Sequence, residues 1–174
     1  MRPFTVHASI AASREDVFDF VADLAARPAY CDHYMLEFRL AHPRSSGPGA
    51  AARFKLDAPL VSTWAEIAVA EYDRPRRIVE RSRLWRAGRT PAVAVYEFVP
   101  DSPGMTRVEL SMWSDPATRI DAFKEALGAR GWLRRQAKTS LERLRMVFEE
   151  ERGESLARAR IAGYEPLKAA RFGS

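Results

Sequence analysis

The stretch from residue 35 to residue 113 limits the fold more than any other feature, because apolar and polar side chains alternate through it in short segments. Alternation of this kind predicts β-strands, since successive side chains of a strand point to opposite faces. Turn-forming stretches such as "DRPR" and "PDSPGM" separate the segments, so neighbouring strands should pair as antiparallel hairpins. The predicted strands lie at 35–40, 51–58, 61–72, 77–85, 92–99 and 106–113, and one more lies at 4–10.

Helical periodicity appears on either side of this region. "SREDVFDFVAD" predicts a helix capped by Ser13, and a second short helix is predicted over roughly 24–31, around Pro28. Near the C-terminus an apolar stripe at helical spacing predicts a long helix over roughly 132–151. The stripe that should face the sheet consists of Leu133, Ala137, Leu141 and Leu144. The pattern as a whole predicts an α+β fold with an antiparallel sheet of about seven strands.

The hairpin around "DRPR" has a register that fits its charges. Pairing Glu66 with Arg83 places opposite charges across the two strands, which cross-strand pairing favours. The same register pairs Glu71 with Ile78 next to the turn. In the following hairpin the favoured register places Glu97 opposite Glu109, a like-charge pair that only neighbouring arginines offset.

These registers divide the strand residues between two faces of the sheet. The predicted outward side chains are Arg81, Arg83 and Glu97, and the predicted inward polar side chains are Thr63, Glu80, Ser82 and Tyr96. A buried carboxylate needs water, a partner or a proton. We expect a hydrated cavity to meet the need of Glu80 better than a tightly packed core.

Composition and charge exclude several classes of protein. A chain of 174 residues with 47% hydrophobic residues suits one globular domain. The net charge of +5 resides in residues 119–174, where a basic face is more often solvated than bound to nucleic acid. We expect no membrane insertion and a cytoplasmic location, because no apolar run approaches the length of a spanning helix. Cys31 is the only cysteine and the three histidines are scattered, so we expect neither a metal site nor a cofactor.

The order of elements resembles that of the START/SRPBCC, or Bet v 1-like, superfamily. The resemblance rests on "IAASREDVFDFVAD", "AVAEYDRPRRIVERS", "YEFVPDSPGMTRVEL" and the helix ending "SLERLRMVFEE". Within the superfamily the chain looks most like the bacterial polyketide cyclase/dehydrase group. The resemblance covers about residues 4–151 and implies a helix-grip fold, in which the sheet wraps around the long helix and encloses a cavity. We expect a ligand-binding domain over residues 1–151 and a tail or arm over 152–174.

The resemblance implies a function without choosing one. We expect a carrier or sensor for a small hydrophobic or amphipathic molecule such as a polyketide, a quinone, a lipid or a sterol-like compound. One alternative is a polyketide cyclase or dehydratase that uses the same cavity, although no second clear acid or base accompanies Glu80. Another is a macromolecular interaction module that uses the basic C-terminal third.

The candidate ligand-binding residues are those that the registers and the helix place on the inner side. They are Thr63, Ile67, Val69, Glu80, Ser82, Tyr96, Phe98, Leu110, Met112, Leu133 and Ala137. Glu80 and Tyr96 are also weak catalytic candidates, since a desolvated acid and a tyrosine can move protons or orient a carbonyl. The cluster "YCDHY" adds Asp32 and His33 as a second acid–base pair, unless they only cap a helix at the surface.

Aromatic residues are predicted in two places outside the cavity. Trp64, Trp85 and Trp113 fall on the outer face of the sheet. The tail carries Tyr164 and Phe172 among basic residues, which is too apolar for a solvated linker. We expect the tail to dock on this domain or on a second subunit, so a homodimer is one assembly that it allows.

Overall fold

The structure is a computed structural model. It describes residues 1–59, 61–84, 91–115, 128–149 and 160–161. Its strands are β1 (Phe4–Ile10), β2 (Met35–Leu40), β3 (Ala51–Ala58), β4 (Val61–Asp73), β5 (Arg77–Leu84), β6 (Pro91–Ser102), β7 (Met105–Ser114) and β8 (Arg160–Ile161). Its α-helices are α1 (Arg14–Ala22), α2 (Pro28–Cys31) and α3 (Arg130–Glu149), with one turn of 3-10 helix at Leu24–Ala26.

The strands form one sheet in the order β1-β7-β6-β5-β4-β3-β2-β8. The first seven of these strands pair antiparallel, which confirms the predicted curved sheet of the α+β fold. The two-residue strand β8 adds a parallel pairing at the edge, with Arg160 opposite Arg39 and Ile161 opposite Leu40. This pairing is the described part of the predicted tail. Tyr164 and Phe172 lie outside the described residues, as does Trp85.

The hairpin of β4 and β5 confirms most of the predicted register. Glu66 lies opposite Arg83, and Val69 lies opposite Glu80. Nearer the turn the prediction is wrong, because Glu71 faces Val79 instead of Ile78. A bulge after Val69 adds one residue to β4, so that strand can bury Val69 and also direct Tyr72 toward the core.

The hairpin of β6 and β7 has the predicted register from Ala92 to Pro100. Glu97 does lie opposite Glu109, and an arginine is a neighbour of each. Arg107 Nε lies 2.9 Å from a carboxylate oxygen of Glu109, and Arg77 is the cross-strand neighbour of Glu97 on the other side.

The helices follow the predicted pattern with one difference. The Ser13 hydroxyl accepts a hydrogen bond from the Asp16 amide at 3.1 Å and caps α1. The predicted second helix over 24–31 is instead divided into the 3-10 turn and α2, because Pro28 has no amide hydrogen to continue a helix. Helix α3 packs against β1 and α2 and buries Ala137, Leu141 and Leu144, while Leu133 is half-buried at its start.

Candidate functional site

The centre of the candidate site is an arginine that the sequence analysis did not single out. Arg27 follows the 3-10 turn, precedes Pro28 and has no solvent exposure at all. Its guanidinium forms a salt bridge with Glu80, in which Nη2 contacts Oε1 and Nη1 lies 3.3 Å from Oε2. Nη1 also donates to the Tyr96 hydroxyl oxygen at 2.7 Å. Glu80 of β5 and Tyr96 of β6 therefore both bind the guanidinium of Arg27, which lies between the 3-10 turn and α2.

The surroundings of Arg27 keep its guanidinium charged. Burial is the largest single influence and works against the charge, but Glu80 together with Tyr30, Tyr96 and Cys31 outweighs it and holds the pKa of Arg27 well above its ordinary value. Burial also raises the pKa of Tyr96, so that its phenol stays protonated. The inward position of Glu80 in the sequence pattern predicts a hydrated cavity around its carboxylate. The structure gives that carboxylate an arginine partner instead.

Local structure brings the Arg27 side chain inward. The Arg27 amide donates to Leu24 O at 3.3 Å, which closes the 3-10 turn. Nη2 also approaches the carbonyl of Val21, at the end of α1, at 3.4 Å. The turn between α1 and α2 thus sets where the guanidinium meets the sheet. Arg27 stands in "LAARPAY", among small and apolar residues, and this was the available signal that its side chain is buried.

Two buried polar atoms beside the ion pair have no hydrogen-bond partner among the described residues. They are Nε of Arg27 and the hydroxyl oxygen of Tyr30. The guanidinium carbon of Arg27 lies 5.5 Å from the centroid of the Tyr30 ring, so the two residues are neighbours. Buried polar groups are nearly always hydrogen-bonded, so these two atoms are candidates for contacting a ligand.

A second buried polar group joins α2 to α3. The Cys31 thiol lies 3.5 Å from the Ser140 hydroxyl, which itself donates to Gln136 O at 3.0 Å. Tyr34 also hydrogen-bonds to Ser140. Burial raises the pKa of the Cys31 thiol, which makes it a poor nucleophile at neutral pH.

The structure brings the predicted ligand-binding residues to the inner side of the sheet. The fully buried ones are Ile67, Val69, Glu80, Tyr96, Phe98, Leu110 and Ala137. Thr63, Ser82, Met112 and Leu133 are half-buried. The outward assignment is confirmed, since Arg81, Arg83 and Glu97 are exposed. A role for the inner residues in binding stays a prediction.

Asp32 and His33 lie at the surface, where each contacts Arg143 of α3. The Arg143 guanidinium forms an ion pair with Asp32, and Nη1 lies 3.3 Å from Nδ1 of His33. The other ring nitrogen of His33 lies 3.4 Å from Gln136 O, so it carries the proton in this arrangement. Burial, with Arg143 adding to it, lowers the pKa of His33. This geometry fits a contact between helices better than an acid–base pair.

A groove of about 340 Å³ opens on the surface between α2 and β2. Asp32, Leu36 and Phe38 are among its lining residues. Leu36 is 37% exposed, and Met146 is the other large apolar side chain that is exposed among the described residues. Elsewhere on the surface, Arg53 stacks on Trp64 at 4.8 Å and covers part of the outer sheet face.

Among the residues that the structure describes, no three His, Cys, Asp or Glu side chains lie close enough together to hold a metal ion. No helix in the same part of the chain is long and apolar enough to cross a membrane.

The curved antiparallel sheet, the long C-terminal helix and the short helical segments after β1 define the helix-grip fold of the SRPBCC, or Bet v 1-like, superfamily. Solved structures share this fold. The KanY protein aligns with a TM-score of 0.67 at 18% identity, over 86% of this chain and 98% of its own. A Thermus thermophilus protein aligns with a TM-score of 0.63 at 16% identity, over 83% and 94%. The major latex-like protein 151 from Panax ginseng aligns with a TM-score of 0.61 at 8% identity, over 86% and 98%.

The family is shown by the sequence itself. The family model described as polyketide cyclase/dehydrase and lipid transport matches residues 1–149. The chain belongs to this family, which confirms the resemblance drawn from its motifs. No curated protein matches the sequence significantly.

Proposed function

We propose that this protein binds a small hydrophobic or amphipathic molecule on the inner side of its sheet, as a cytoplasmic carrier or sensor. The observation that carries the proposal is the polar group inside an apolar interior: Arg27, Glu80 and Tyr96 are buried together, and Arg27 Nε and the Tyr30 hydroxyl beside them are unpartnered. Apolar sites with a few polar groups are the usual design for such ligands. Membership of a family described by cyclase, dehydrase and lipid transport activities supports the same reading.

The ion pair favours binding over catalysis by Glu80. A general base must take up a proton, and protonation of Glu80 would leave the buried Arg27 guanidinium without its counter-charge. Both oxygens of the Glu80 carboxylate are engaged by that guanidinium. The carboxylate is therefore placed to neutralise the arginine. We propose that the pair orients the polar end of a bound molecule.

Titration with a neutral fluorescent hydrophobic probe, such as Nile red, tests this proposal. Wild-type protein should give saturable binding of one probe per chain. Ala65→Trp should weaken that binding at least tenfold, because Ala65 is buried on the inner face of β4 and a larger side chain would occupy the ligand's space.

The matched control is Ala68→Trp. Ala68 lies on the same strand but faces the other side of the sheet and is half-buried. This variant should bind the probe as the wild type does. Equal binding by both variants, or no binding by the wild type to this probe or to a panel of lipids and polyketides, would argue for a filled core. Native mass spectrometry of the purified protein adds a direct search for a copurified molecule.

A further inference from the structure

The polar atoms left over beside the buried ion pair define what kind of ligand group can bind there. Arg27 Nε carries one hydrogen, and the Tyr30 hydroxyl can donate another. Neither atom has a partner among the described residues, and both residues are completely buried. Building on the proposed function, we propose that the bound molecule presents a neutral hydrogen-bond acceptor, such as a ketone or quinone oxygen, to Arg27 Nε and the Tyr30 hydroxyl.

Charge balance distinguishes a neutral acceptor from an acid. Glu80 already neutralises Arg27, since its carboxylate engages both terminal nitrogens of the guanidinium. A carboxylate on the ligand would therefore bring an uncompensated negative charge into an apolar interior, which costs several kcal/mol. A carbonyl oxygen has two lone pairs and carries no net charge, so it can accept from both donors without that cost.

The hydroxyl of Tyr30 is suited to donate. Burial raises the pKa of this phenol well above its ordinary value, so it keeps its proton throughout the neutral range. The centroid of its ring lies 6.1 Å from that of the Phe20 ring. The Tyr96 hydroxyl oxygen, by contrast, accepts from Arg27 at 2.7 Å. Tyr30 is therefore the tyrosine whose hydroxyl a ligand would engage.

The test uses three probes of the same size and different polarity: 2-acetylnaphthalene, 2-ethylnaphthalene and 2-naphthoate. Isothermal titration calorimetry measures the affinity of the full-length protein for each. The ketone should bind at least about fivefold more tightly than the ethyl compound, because each of the two proposed hydrogen bonds contributes about 1 kcal/mol. The carboxylate should bind most weakly.

Tyr30→Phe removes one of the two proposed donors and leaves the ion pair in place. This variant should show a smaller preference for the ketone over the ethyl compound, because only Arg27 Nε remains to donate, while its affinity for the ethyl compound stays the same. The infrared carbonyl band of bound 2-acetylnaphthalene should also move to higher frequency. Tyr34→Phe is the control, because Tyr34 is equally buried but its hydroxyl is bonded to Ser140. It should keep the preference.

The outcomes separate this inference from the proposed function. Failure of all three probes to bind would overturn the proposed function. Equal affinity for the ketone and the ethyl compound, tightest binding of the carboxylate, or an unchanged preference in Tyr30→Phe would overturn the inference alone. Circular dichroism of each variant establishes that it is folded. If Tyr30→Phe is unfolded, the carbonyl band of the bound ketone in the wild type decides, and a frequency equal to that in hexane overturns the inference.

Discussion

At the scale of single residues, the buried pair of Arg27 and Glu80 is the most demanding feature of the molecule. Arg27 is 0% exposed and Glu80 is 4% exposed, so water compensates neither charge. Moving two ions out of water costs several kcal/mol each, and their attraction repays this only when both are present. Each buried charge therefore needs the other to compensate it, and the pair as a whole need not add to the stability of the fold.

Removing one partner should be much worse than removing both. We expect Arg27→Met or Glu80→Met alone to lower the free energy of unfolding by about 3–5 kcal/mol, because each leaves an uncompensated buried charge. The double variant should recover most of that loss. Urea denaturation followed by circular dichroism measures the three values.

The exposed pair of Asp19 and Arg74 provides the control. Its Nε–Oδ1 distance is 2.7 Å, as good as that of a buried pair, but both side chains are about half exposed. Arg74→Met should leave the free energy of unfolding nearly unchanged, since water screens such pairs. Single and double core variants that lose stability additively would contradict the coupling.

At the scale of elements, the contact between α2 and α3 depends on a neutral histidine. Arg143 of α3 contacts Asp32 and also donates toward Nδ1 of His33. Protonation of Nδ1 would remove that acceptor and bring a second positive charge to the guanidinium. Asp32 and Arg143 are the charged groups that act on the His33 ring, and burial acts on it more strongly than either.

Because the pKa of His33 is lowered in the folded protein, the stability of the protein should decrease as the pH falls. Burial lowers the pKa of His33 from its ordinary value of 6.5, so the folded protein binds this proton less readily than the unfolded chain does. The contribution of His33 to stability is present above pH 6.5 and is lost as pH falls toward the lower folded pKa. An NMR titration of the His33 ring should give a pKa below 6.5 in the wild type.

Arg143→Gln tests the electrostatic part of this shift. Without the guanidinium, the attraction of Asp32 is unopposed and the pKa of His33 should rise relative to the wild type. Arg145→Gln is the control, because Arg145 of the same helix pairs with Glu149, so this variant should leave the pKa of His33 at its wild-type value. A His33 pKa that is equal in Arg143→Gln and the wild type would show that Arg143 does not act on the ring.

At the scale of the whole molecule, the sheet has one edge that the C-terminal tail partly covers. The edge strand β2 pairs with β8 through Arg39 and Leu40. A bulge between Leu36 and Arg39, with Glu37 in the left-handed region at φ 51°, interrupts the regular edge just before this pairing. Such bulges commonly protect sheet edges from pairing with other chains.

Removal of residues 152–174 should therefore expose the end of β2. We expect a lower melting temperature than that of the full chain and faster amide exchange at Arg39 and Leu40, because their neighbouring strand is lost. Light scattering would reveal any association through the exposed edge. Exchange in β7, which lies inside the sheet between β1 and β6, serves as the internal control and should not change. An unchanged melting curve and unchanged exchange in β2 would contradict a stabilising role for the tail.

Local patterns in the sequence predict the strands, most of their register and the direction of their side chains. Alternation identified every strand except β8, and the short turns set which strands pair. Cross-strand partners such as Glu66 and Arg83 then selected the register, since the wrong choice would exchange the two faces. These features are local, so neighbouring residues contain the information. The family follows from the same segments, because its model matches residues 1–149.

The tertiary structure alone decided the chemistry of the interior. Glu80 needed a partner, and the sequence left water, a proton and a counterion open. Its partner in the structure is Arg27, which lies 53 positions earlier in the chain. The turn after α1 places the Arg27 guanidinium at the inner face of β5. The bulge in β4 and the division of the second helix were decided in the same way, by how residues fit a shared core. A charge can be buried only where the fold places a partner beside it. Local sequence patterns do not predict such a contact, because the two partners are distant in the chain.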